Sequence, residues 1–211
     1  MNMRTEDLLD RLSHEAAPVR PVSIGRARLG LALVALATVA LVLALWSPRP
    51  QLMDGSADAM TLVLAALFAL LAGAAGVTAT RLARPAVGAA PGGGLWVFAA
   101  ILVFPAIALV QQMLGHGDTD QVALGMSCLA TGTAMSLFTA LFLTLHLRRG
   151  APVLPQRAGL VAGLSAGAVG ALAITLECDG TTFAHLAFWH VAILAAWAAI
   201  GRFGIARLIR W

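Results

Sequence analysis

The sequence contains no lysine and no tyrosine, and only 11% of its 211 residues are charged. Soluble domains carry about 25% charged residues, so a chain this poor in charge cannot clothe itself in a hydrated surface. No long apolar run has a carboxylate or an arginine at its middle, where ion-coupled transport normally needs one. The two cysteines, Cys128 and Cys178, are not spaced as Cys-x-x-Cys, the pair that a quinone-linked disulfide oxidase would need. Histidines paired across spans at both faces, as a di-haem cytochrome requires, are also lacking. The glycines 92–94 follow no strand and precede no Lys-Ser/Thr, so they make no phosphate loop. No enzyme is expected.

What is present is apolar: 60% of the residues are hydrophobic. A bilayer's hydrocarbon core is roughly 30 Å thick and takes about 20 helical residues to cross. Six runs fit that length: Leu29–Trp46, Ala59–Leu82, Leu95–Leu114, Val122–Leu145, Gly159–Leu176 and Phe183–Phe203. They are continuous rather than alternating, which favours helices over a barrel. The expected fold is therefore all-α, a polytopic membrane protein with a bundle of six transmembrane helices at 29–203. A soluble segment at 1–28 precedes it, and a basic tail at 204–211 follows. Thirteen of the fourteen arginines, all but Arg49, lie in the N-terminal segment, in the second and fourth connections or at the C-terminal end. By the positive-inside rule both termini are cytoplasmic. The net charge of +4 would point to nucleic acid in a soluble protein; in a bilayer it reports orientation, and no direct nucleic-acid contact is expected.

Residues 1–28 read as a short amphipathic helix followed by a proline-broken linker. Thr5 can cap the first turn, Glu6 and Asp7 suit its positive end, and Leu8, Leu9, Leu12 and Ala16 form a stripe near helical spacing. Pro18 and Pro21 end it. With four acids and no apolar core region, this is not a cleavable signal peptide. A helix so short is marginal alone in water; the stripe lies on the membrane surface, stays disordered, or docks on a partner. Gly159, Gly163 and Gly167 recur at four-residue spacing on the fifth run, a ribbon that lets another helix approach closely within the chain or in a homodimer.

Most of the chemistry is concentrated in Leu176–His190, LECDGTTFAHLAFWH, which opens on the non-cytoplasmic side. The topology puts Cys128 and Cys178 at that same face, so a disulfide is geometrically open to them if their spans adjoin. Two unrelated, inert thiols are the alternative. The flanking Glu177 and Asp179 place Cys178 where water should reach it, and would raise its thiol pKa. A competing reading is a transient metal ion at the outer face, with Cys178, His185, Glu177, Asp179 and His116 as candidate ligands for zinc, cadmium or copper(I). No resident cofactor is expected. His190 lies five residues beyond His185, off its α-helical face, and reads as a polar clasp inside the bundle.

The pattern as a whole resembles the NrsF-type anti-sigma factors of proteobacteria. The resemblance rests on the start DLLDRLSHEAAPVRPV, on six apolar spans, on a cysteine in the fourth, and on the region from Glu177-Cys178 to Trp189-His190. It implies a bacterial inner-membrane, multi-pass protein that sequesters an extracytoplasmic-function (ECF) sigma factor on its cytoplasmic side. It also implies that Cys128 and Cys178 are a sensor pair releasing that factor on meeting oxidant or heavy metal. Leu8, Leu9, Leu12, Pro18, Val19, Arg20 and Pro21 carry over as the sigma-binding segment. A small transporter or exporter subunit, with the glycine ribbon lining a path, is the alternative.

Overall fold

The computed structural model describes residues 4–15, 22–85, 121–180 and 182–211. Among them every regular element is helical. Helix α1 (Thr5–Glu15) is followed by α2 (Ile24–Trp46), the single turn α3 (Pro50–Met53), α4 (Ala59–Leu82), α5 (Gln121–Arg148) and α6 (Pro155–Thr175). The last span is segmented: α7 (Phe183–His185), a π-helical turn Leu186–His190, α8 (Val191–Ile200), a second π turn Gly201–Ile205, and α9 (Ala206–Leu208). Five of these stretches are long and apolar enough to cross a membrane. They coincide with five of the six expected runs, and α4 matches its run residue for residue. The third run, Leu95–Leu114, lies outside the described residues, as do Pro18–Pro21 and His116.

Local chemistry sets the helix starts. Ser23 accepts a hydrogen bond from the N–H of Arg26 at the head of α2, Asp58 accepts from the N–H of Thr61 at the head of α4, and Pro155 occupies the first turn of α6, where its missing N–H costs nothing. Between bundle helices, in a solvent as apolar as leucine, close approach replaces hydrophobic burial as the main attraction. Helix α6 is the centre of that packing. It touches α2, α4, α5 and the segments of the last span, and most of its side chains are buried.

The glycine ribbon makes this possible. A Cβ at Gly159 would run into the carbonyl oxygen of Gly201, one at Gly163 into that of Trp197, and one at Gly167 into the backbone of Leu194. The ribbon is thus filled by the last span of the same chain, and it lines no path of the kind the transporter alternative needs. On other faces of α6, Ser165 Oγ donates to the carbonyl of Ala72 at 2.9 Å, and Gly170 meets Gly132 and Ser136 of α5.

The two ends of the bundle differ in kind. At the arginine-rich end, the N–H of Ala151 donates to Ala83 O at 2.9 Å, and the Arg84 guanidinium donates to Val22 O at 3.1 Å, fixing the point where the N-terminal segment enters the bundle. Helix α1 itself has no buried residue. Leu8, Leu9 and Leu12 are 42%, 61% and 54% exposed, so nothing described in this chain covers the stripe. At the opposite end the connections after α2 and α6 are tied together around the two cysteines.

Candidate functional site

Helix α6 ends at Thr175, leaving carbonyls of its last turn and of the following loop without helical donors. Arg49, from the short connection between α2 and α3, supplies donors. Its backbone N–H bonds Leu176 O at 2.9 Å; its guanidinium bonds the carbonyls of Cys178 and of Gly180, the latter at 2.9 Å, and the hydroxyl of Thr61 at 2.7 Å. The Thr61 hydroxyl passes its own hydrogen to Asp58 at 2.7 Å. Arg49 is only 1% exposed. This explains why one arginine departs from the charge pattern of the other thirteen: it is folded into the protein as a clamp on the loop 176–180. A cation beside a helix C-terminus is also favoured by the helix dipole.

The clamp holds Cys178 inward. Although flanked by Glu177 and Asp179, Cys178 is 2% exposed, contrary to the expectation of a water-accessible thiol. Its sulfur lies 2.9 Å from that of Cys128, which α5 presents from its second turn, and 3.3 Å from His185 Nε2. The backbone N–H of Gly180 also points at it, at 3.4 Å. Both thiols are free. The hydrogen bond from the Cys128 thiol pushes the Cys178 thiol well below its ordinary range, against the opposing effect of burial, and His185 and the Gly180 N–H act in the same direction. The expected upward shift from the adjacent carboxylates is thus overridden by these hydrogen bonds. Asp179 is exposed, and Glu177 is half-buried, its carboxyl pushed up by burial first and then by the neighbouring Cys178 and Asp179. Gly180 is needed as glycine, because a Cβ there would meet the His185 ring.

His190 joins this group for a reason that α-helical spacing hides. Residues 186–190 form a π turn, whose i→i+5 hydrogen bonding brings residues five apart over one another. The rings of His185 and His190 are 5.5 Å apart, edge to face. The same turn seats the Trp189 ring where Gly125 of α5 has no side chain, and lets His190 Nδ1 reach the Thr175 hydroxyl of α6 at 2.9 Å.

The ligand-capable atoms of Cys128, Cys178, His185 and His190 all lie within 4.8 Å of one another, and all four residues are buried. Of the ligands expected from the sequence, Cys178 and His185 are in this group, Glu177 and Asp179 are not, and His116 lies outside the described residues. Cys128 and Cys178 meet because their two spans adjoin, the condition that their shared face left open. A small cavity of about 90 Å³ leads to both sulfurs past Trp46, Ser127, Thr131, Glu177 and Asp179. Two features escaped sequence reasoning: the Arg49 clamp, whose signal was its exceptional position, and the π turn, which left none.

Comparison with known proteins agrees with the resemblance read from the sequence. The family model described as NrsF, negative regulator of sigma F, matches residues 12–211. A protein of Azospira oryzae named "Probable anti-sigma-F factor NrsF" is 30% identical over 220 residues, an alignment covering 99% of this chain and 100% of the relative. No solved structure matches.

Proposed function

This chain belongs to the NrsF family of negative regulators of sigma F, and from that premise we propose that it is a bacterial inner-membrane anti-sigma factor. It sequesters an ECF sigma factor through its N-terminal segment and lets it go when Cys128 and Cys178 react at the other face. The observation that carries the first half is the bare stripe on α1, with Leu8, Leu9 and Leu12 exposed on a helix that packs on nothing described in its own chain. An amphipathic helix with an unpartnered apolar face is suited to a groove on another protein. Pro18, Val19, Arg20 and Pro21, next in the sequence, complete that binding segment. The partner meets the chain on the arginine-rich side, which the positive-inside rule makes cytoplasmic.

For the second half, support comes from the contact of the two sulfurs. A two-electron oxidant such as a peroxide takes two electrons and two protons from the thiols; the sulfurs join, and the peroxide leaves as two waters. A disulfide sets its sulfurs about 2.05 Å apart, so the present 2.9 Å must close and draw α5 toward the loop after α6. That movement reaches the tail only if one of two bundle packings holds the new bond better, because a bond that fits both shifts nothing. The account assigns no enzymatic step and no contact with DNA.

The test is capture of the sigma factor from native membranes by the full chain and by a chain lacking residues 1–20. Loss of capture on deletion is expected. Equal capture by both would place the binding surface elsewhere and overturn the assignment of the tail.

A further inference from the structure

We propose that Cys128, Cys178, His185 and His190 form a four-coordinate site for a thiophilic divalent cation of the zinc and cadmium class. The inference deepens the reading of the sulfur pair as the sensing element, and rests on that reading for its regulatory consequence. Glu177, Asp179 and His116, which the sequence alone offered as ligands, are not part of it.

The Thr175 hydroxyl has one hydrogen, and its shorter contact, 2.7 Å to Ala171 O, is with an atom that can only accept, which assigns the hydrogen there. Toward His190 Nδ1, at 2.9 Å, it can therefore only accept, so Nδ1 carries the ring proton. That leaves a lone pair on His190 Nε2, an atom fully buried and, among the described residues, with no hydrogen-bond partner apart from the neighbouring Cys178 sulfur. A buried acceptor with no stronger donor than a thiol is costly. A neutral imidazole whose far nitrogen is fixed by a hydrogen bond is the form in which histidine binds metal. His185 offers Nε2 at 3.3 Å from Cys178 Sγ, on the side of the ring that faces the sulfurs.

The distances and the charge fit as well. Metal–sulfur bonds of about 2.3 Å and metal–nitrogen bonds of about 2.0–2.1 Å in a tetrahedron separate neighbouring ligand atoms by roughly 3.3–3.8 Å. The observed set, with its sulfurs at 2.9 Å and no pair beyond 4.8 Å, brackets that spacing, and seating an ion parts the sulfurs by about as much as a disulfide draws them together. Two thiolates neutralise a divalent ion, so a Cys2His2 site adds no net charge to a buried place. A site completed by Glu177 or Asp179 would. Those carboxylates line the cavity that reaches the sulfurs, where they attract a cation on its way in. The regulatory consequence is that ion and oxidant engage the same two sulfurs, so that either can act on the pair and each excludes the other.

The test is a cobalt(II) titration of the reduced full chain in detergent, followed by displacement with cadmium. Tetrahedral thiolate ligation gives intense visible bands and a near-ultraviolet charge-transfer band. One ion per chain is expected. Affinity should fall at least tenfold in His185→Gln and His190→Gln, and about 10–100-fold in Thr175→Val, which removes the hydroxyl that supports His190 but no ligand atom. Glu177→Gln and Asp179→Asn should bind as the parent chain does. Thermal unfolding checks that each variant is folded; if a histidine variant is not, Thr175→Val decides. No cobalt bands, or bands indifferent to His185, His190 and Thr175, would overturn the site. Should peroxide still join the sulfurs and release the sigma factor in that case, the sensing reading stands without the metal. If the ion binds as described but neither it nor peroxide alters sigma capture, the site stands and the sensing reading fails.

Discussion

Arg49→Met retains most of the volume of the arginine stem and removes its donors. The carbonyls of Cys178 and Gly180, both in buried residues, would lose their guanidinium partner. An orphaned buried acceptor costs about 1–3 kcal/mol, so two cost about 2–6. Thr61 adds nothing, since its hydroxyl keeps Asp58. The ion pair adds little, because Asp58 stands 3.7 Å away with its side chain 43% exposed, and such pairs contribute at most about 1 kcal/mol. Release of the guanidinium from a buried place offsets part of the loss. The net expectation is a destabilisation of about 2–4 kcal/mol, concentrated at the loop 176–180. Denaturant unfolding in detergent measures the total, and hydrogen exchange of the loop amides locates it. Asp58→Asn should lose less than about 1 kcal/mol. An Arg49→Met chain as stable as the parent, with unchanged exchange at 176–180, would refute the clamp.

Three further outcomes are expected. Gly163→Leu forces a side chain into the backbone of Trp197 and should cost about 3 kcal/mol or more, whereas Gly73→Ala, where a Cβ meets nothing among the described residues, should be neutral or stabilise by up to about 1 kcal/mol; thermal unfolding compares them. With its thiol held low by Cys128, Cys178 should alkylate slowly but with little dependence on pH around neutrality, and in Cys128→Ala its rate should climb only at higher pH; mass-spectrometric labelling follows this, and identical profiles would remove the role of Cys128. Reporter fusions after Arg84 and Arg149 should read as cytoplasmic and those after Asp54, Asp120 and Gly180 as external; a cytoplasmic Gly180 would remove the basis for an outer sensor.

Much of the fold was legible because spans declare themselves by length and continuity. Helix α4 begins at an Asp58 cap and ends where Arg81 and Arg84 return to water, so its limits could be read to the residue. Counting crossings put Cys128 and Cys178 at one face, and the adjacency of their helices, which the sequence left open, brings them together. What the sequence concealed was set by contacts across the chain. Arg49 and Cys178 are 129 residues apart, and only their contact shows that the loop turns Cys178 inward while its acidic neighbours face out. His190 does clasp Thr175 inside the bundle, as expected, but it was set apart from His185 because a period of 3.6 was applied to a π turn that no local residue pattern marks. That turn accompanies three tertiary contacts at once, those of Trp189 with Gly125, His190 with Thr175, and His185 with Cys178.

The central claim is that the sulfur pair at one end of the bundle controls the hold of the tail at the other. Replacing Cys128 or Cys178 by Ser leaves the volume nearly unchanged and removes the chemistry. Target-gene output measured in each Ser variant, with and without oxidant or cadmium, tests the claim most directly. The account predicts output as low as in the uninduced parent under both conditions, with the sigma factor still captured. Normal induction in both variants would contradict it.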